Sequence, residues 1–161
     1  MNPDGFWIKE PKICEKSKLV SMITSNKQMC NGHRYRLEIA NKLKSKLDLF
    51  GRGINNITLK EEGLNDYAFS IAMENDMVDS YFTEKVLDCF ATGTIPIYHG
   101  TKKITDYFNT DGIIFLDELN IDDLNMDLYY SKLDAVKENF EKVLSMETSE
   151  DNIYLKYLIR K

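Results

Sequence analysis

Lysine 85 occupies a place where a lysine is unfavourable. The stretch Tyr67 to Lys85 (YAFSIAMENDMVDSYFTEK) closes an apolar run with Glu74-Asn75 and then opens a helix with Thr83-Glu84-Lys85. The first turn of a helix already presents positive charge from its aligned backbone dipoles. A cation there costs a few tenths of a kcal/mol or more unless an anion sits beside it. Strand, carboxylate loop, helix N-terminus and lysine together suit a phosphate-bearing ligand. Arg36 is expected at the start of an earlier helix, the same wrong end for a cation, with His33 and Arg34 as neighbours. Glu84 has two readings: it favours the helix start as any first-turn acid does, or it accepts hydrogen bonds from both hydroxyls of a ribose. Glu74-Asn75 is either the rim of a sheet or part of a site. Tyr81 either stacks on a base or sugar or is a core aromatic with its hydroxyl outside.

Other chemistries lose their usual support. There is no GxGxxG and no Walker loop, so dinucleotide and ATPase readings are set aside. No Asp-x-Asp pair stands at a strand end to hold a divalent metal on a diphosphate, so no metal or other cofactor is expected. Arginine, lysine and backbone amides must then meet a diphosphate's charge. Phe50-Gly51-Arg52-Gly53 reads first as a tight turn. The net charge of −5 argues against a broad nucleic-acid surface, although a local basic pocket is compatible with it. The acidic run from Asp117 to Asp127 reads as a solvated helix start.

These residues need a scaffold, and 161 residues suffice for one domain with a core. Residues 1–17 read as an extended lead-in and residues 18–161 as the domain. Strands are expected at Lys18–Thr24, Leu47–Phe50, Ala68–Met73, Thr94–Tyr98 and Ile113–Leu116. Helices are expected at Arg36–Leu47, Thr83–Thr92 and Lys102–Phe108, then near Asp122–Tyr129, Lys132–Met146 and Ser149–Arg160. Pro96 lacks a donor, which predicts an edge strand or a local adjustment. Strands alternating with helices predict an α/β, Rossmann-like, doubly wound and largely parallel sheet with helices on both faces. Ligands bind beyond the carboxyl ends of such strands. The polar loops 25–33, 51–56, 74–80 and 99–103 fall there. No apolar run approaches the ~18 residues of a membrane span, so no transmembrane segment is expected. The N-terminus is unlike a signal peptide, and three widely spaced cysteines suggest reduced thiols in the cytoplasm.

The ordered pieces Ser25-Asn26, RLEIANKL from Arg36, DLFGRG, YAFSIAMEN, SYFTEKVLDCFATGTIPIYHG and DNIYLKYL resemble the α1,3/α1,4-fucosyltransferases, two-domain GT-B enzymes that use GDP-fucose. The resemblance spans roughly residues 17–160. It implies the C-terminal, donor-binding half of such an enzyme, with Arg36 and Lys85 on the diphosphate as catalytic candidates. It also implies Glu84 on the ribose, Tyr81 lining the donor pocket, and Glu74, Asn75 and Asn26 as second-tier members of the site. The implied reaction is inverting: an acceptor hydroxyl attacks the fucose anomeric carbon while GDP leaves from the opposite face. The acidic general base of the family lies in an N-terminal acceptor domain absent from this sequence. The glycan acceptor is therefore expected to be met through that missing part, in a longer parent or a partner chain. A different nucleotide sugar, or a non-catalytic nucleotide-sugar-binding module, remains open.

Overall fold

The computed structural model describes residues 5–79 and 81–146. Five strands, β1 (Lys18–Ile23), β2 (Asp48–Phe50), β3 (Tyr67–Met73), β4 (Ile95–His99) and β5 (Ile114–Phe115), form one sheet in the order β2-β1-β3-β4-β5. Every pairing is parallel. The order reverses direction between β1 and β3, which makes their carboxyl ends the crevice where doubly wound sheets take ligands.

Parallel strands are buried on both faces and read as continuous apolar runs. β3 does so along its whole length. Alternate residues serve opposite layers. Phe69, Ile71 and Met73 join Val20, Met22, Ile95 and Ile97 in a core closed by Ala40 of α1 (Asn31–Leu43) and Tyr129 of α3 (Met126–Ser131). Ala72 and Tyr98 pack on the other side against Val86, Leu87 and Phe90 of α2 (Glu84–Ala91). The helix α4 (Leu133–Ser145) contributes Val136 to the first core and Val143 to the second. The doubly wound α/β fold with helices on both faces is thus the one that forms.

Several local expectations are corrected. α1 begins five residues before Arg36; its first turn holds Gly32, a poor helix former, which is why the sequence does not mark this start. The glycine is there for space: a Cβ on it would lie 2.3 Å from the carbonyl oxygen of Asn75. β4 is interior rather than an edge. Its ladder to β5 covers only Ile97 and Tyr98, so Pro96 has no partner on that side. The helix expected at Lys102–Phe108 is a 3-10 turn over Lys102–Asp106. The next expected helix divides into a 3-10 turn, Ile121–Asp123, capped by Asn120, and α3, capped by Asn125. The helix expected at Ser149–Arg160 lies outside the described residues.

Residues 5–17 carry no helix or strand, yet they are built into the domain. Ile8 is in the core, and the buried ammonium of Lys16 is ringed by the carbonyl oxygens of Leu64, Asn65 and Thr92 and by Thr94 Oγ1. Burial lowers the Lys16 pKa to about 8.

Candidate functional site

At the switch between β1 and β3 a cavity of about 400 Å³ opens against α2. Thr24 and Ser25 line it from the end of β1, Gly51 and Arg52 from the turn after β2, and Ala72 and Met73 from β3. Arg36 enters from α1, while Glu84, Lys85 and Asp88 enter from α2. Lys27, Arg36, Arg52, Lys60 and Lys85 face two carboxylates, Glu84 and Asp88, so a chain of net charge −5 concentrates positive charge here. A larger cavity of about 550 Å³ lies between α1 and the ends of β4 and β5, but its lining is mostly apolar and includes none of the candidate catalytic or donor-binding residues, although His99 and Lys102 of the loop 99–103 and Asp117 border it.

Lys85 is the second residue of α2, as expected, and Thr83 caps that helix. The anion its position calls for is supplied by the chain itself. Lys85 Nζ lies 3.1 Å from Glu74 Oε2, 2.7 Å from Thr83 Oγ1 and 3.9 Å from Glu84 Oε1. The Glu74 carboxylate is fully buried and also accepts the Thr83 N–H at 2.8 Å. Glu74 therefore orients Thr83 and Lys85 rather than facing the cavity, which leaves the lysine 24% exposed at its wall.

Arg36 does not sit at a helix start; it is in the second turn of α1, so the dipole argument does not apply to it. Its position is explained by β3 instead. The buried guanidinium donates to the Met73 carbonyl at 3.0 Å and to Asn75 Oδ1. Burial lowers its pKa and the nearby Glu74 opposes that shift. Among the described residues, Arg36 Nε and the buried hydroxyl of Thr24 have no hydrogen-bond partner, and both side chains belong to residues lining the cavity. Buried polar atoms without partners are uncommon and point to an external one. His33 senses the same positive field: burial first, then Arg36, Lys27 and Lys85, lower its pKa.

Arg36, Glu74, Asn75, Glu84 and Lys85 are thus gathered at the end of β3 and the start of α2. Tyr81 is 39% exposed and outside the cavity lining, although Glu74 and Glu84, after burial, raise its pKa. Asn26 is not brought in. It lies exposed beside Gly53, takes the Arg52 carbonyl through its backbone N–H, and lines a separate groove with Arg34. Sequence reasoning missed Thr24, Lys60, Asp88 and Trp7. Arg52 was legible within the FGRG turn, whose Gly51 has φ 120° and passes so close to the Thr24 carbonyl that a Cβ would stand 1.8 Å from it.

Residues 13–157 match the model of the glycosyltransferase family 10 (fucosyltransferase) C-terminal region. The chain belongs to glycosyltransferase family 10. Within this family it is 36% identical over 59 residues to an alpha-(1,3)-fucosyltransferase of Helicobacter pylori, which covers 37% of this chain and 12% of that enzyme. It is 29% identical over 114 residues to an alpha-(1,4)-fucosyltransferase of Arabidopsis thaliana, covering 53% and 27%. A human 4-galactosyl-N-acetylglucosaminide 3-alpha-L-fucosyltransferase matches at 25% over 117 residues, covering 68% and 32%. The chain therefore spans less than a third of the length of these family 10 relatives. The crystal structure of an alpha1,3-fucosyltransferase with GDP-fucose shares its fold at TM-score 0.57 and 21% identity, covering 81% of this chain and 48% of that one.

Proposed function

We propose that this family 10 chain is the donor-binding part of an inverting fucosyltransferase. The observation that carries the reading is the cationic cavity at the strand switch, with Lys85 at its wall and an Arg36 Nε that has no partner among the described residues. GDP-fucose is the donor, as in the structural neighbour solved with it. The diphosphate lies between Arg36 and Lys85, and Glu84, the residue that follows the α2 cap, takes the ribose hydroxyls. As the glycosidic bond breaks, negative charge grows on the β-phosphate. Fixed cations and the start of α2 stabilise it, and they need not reorganise to do so. Arg36 is held ready by Met73 and Asn75, and Lys85 by Glu74 and Thr83.

The acceptor hydroxyl attacks the anomeric carbon from the face opposite GDP. Its proton passes to an acidic base contributed from outside the described residues, in an acceptor domain that also holds the glycan. Asn75 acts by orienting Arg36, and Tyr81 borders the sugar end. The cluster of Lys27, Arg36, Arg52 and Lys85 supports a reaction that needs no divalent metal. We assign the chain to the cytoplasm on the strength of three free thiols, Cys14, Cys30 and Cys89.

Isothermal titration with GDP tests the reading. Lys85→Ala is expected to weaken binding by ~10-fold or more, the loss of one charged contact. Equal affinity in wild type and variant overturns it. EDTA is expected to leave the wild-type affinity unchanged, and a fall in affinity on chelation would restore a metal. UDP and ADP titrated in parallel separate this donor from other nucleotide sugars.

A further inference from the structure

The donor cavity has an end that the diphosphate and ribose contacts do not use. Along α2, Lys85 is followed one turn on by Asp88, and Lys60 bridges from Glu84 to Asp88 at 3.7 and 2.5 Å. The ammonium of Lys60 also stands 4.3 Å from the centre of the Trp7 ring. The indole is therefore no farther from the Glu84 carboxylate than the sum of its own and that carboxylate's distances to Lys60. Successive contacts thus run from Lys85 to Glu84, from Glu84 to Lys60, and from Lys60 to the Trp7 ring.

Trp7 is fixed there. Its backbone N–H donates to Asp88 Oδ1 at 2.5 Å, Ile8 beside it is in the core, and Lys9 N–H holds Glu61 at 2.7 Å. Yet its side chain is 55% exposed, the largest side chain facing the cavity. Burying an indole face removes apolar area from water and, against a planar base, adds a stacking contribution.

Resting on the donor-site reading above, we propose that Trp7 is the platform on which the nucleobase of the nucleoside diphosphate stacks. The phosphates occupy the Arg36 and Lys85 end, the ribose spans Glu84, and the base covers the indole. Lys60 and Asp88 act as positioning residues that hold the ring in place. The segment before β1 thereby becomes part of the binding machinery.

Trp7 is the sole tryptophan of the chain, so its emission reports on this contact alone. Titration with GDP is expected to quench or shift that emission, whereas inorganic pyrophosphate, which lacks a base, is expected to bind without doing so. By calorimetry Trp7→Ala is expected to bind GDP roughly 10-fold more weakly, the loss of one base–aromatic stack. Its pyrophosphate affinity should remain unchanged, and Trp7→Phe should recover most of the GDP affinity. If GDP binds both Trp7→Ala and wild type equally tightly, or binds without altering the emission, the platform is overturned while the donor site stands. If neither GDP nor pyrophosphate binds the wild-type chain, the donor site itself is overturned.

Discussion

At the scale of single residues, Glu74 and Lys85 form an unequal pair. The carboxylate is wholly buried, while the ammonium reaches the cavity. Removing a partner from a buried charge leaves that charge uncompensated, whereas a lysine freed of its partner can turn to water. Lys85→Ala is therefore expected to lower folding stability by about 3 kcal/mol. Glu74→Ala should lower it by less, about 1–2 kcal/mol, through the lost Thr83 hydrogen bonds. Urea unfolding of both variants measures the order, and the reverse order would mean that the lysine is the poorly solvated member. The sequence made Lys85 visible because its helical position is electrostatically costly. Glu74 was visible only as the charge that ends an apolar run, and nothing there said that it would turn inward to answer Lys85. Arg36 was recognised for a reason that does not hold: what positions it is the end of β3, 37 residues away in sequence.

At the scale of elements, the start of α1 and the end of β3 touch through Gly32. Replacing a helical glycine by alanine ordinarily stabilises by roughly 0.5–1 kcal/mol. Here the methyl group would collide with the backbone of Asn75, a neighbour that cannot rotate away. Gly32→Ala is expected to destabilise by at least about 1 kcal/mol, and to weaken GDP binding by displacing the Asn75 side chain that Arg36 grips. Denaturation and calorimetry on the one variant read both effects, and a gain in stability would contradict the close approach. The same contact explains what was legible. The strands and α2 were readable because apolar runs, a threonine cap and Gly93 mark their limits. The start of α1 was hidden because Cys30 offers no side-chain cap and Gly32 argues locally against helix, while tertiary contact decides in its favour. The tightness of the 3-10 turns at Lys102–Asp106 and Ile121–Asp123 was equally hidden, since short polar segments carry little periodicity.

For the whole molecule, the buried ammonium of Lys16 makes stability depend on alkaline pH. Burial lowers its pKa to about 8 in the folded chain, whereas the exposed group titrates near 10.5. Between those values the unfolded chain holds the proton more firmly, so raising the pH favours the folded state. The stability of wild type relative to Lys16→Met is expected to rise by about 1–3 kcal/mol from pH 8 to 10.5. Chemical denaturation of both at several pH values measures it, and a flat or falling difference would show that the four oxygens keep the amine charged.

That same ammonium bears on where this domain can be cut. An expression boundary drawn at the first strand, residue 18, would discard Lys16 and take from the carbonyls of Asn65 and Thr92 the ammonium that donates to them. It would also discard Trp7 and loosen the far wall of the nucleotide crevice. A shortened protein of that kind should aggregate or melt early, and the smallest sound piece has to start upstream of the sheet, in a stretch that has no regular structure of its own.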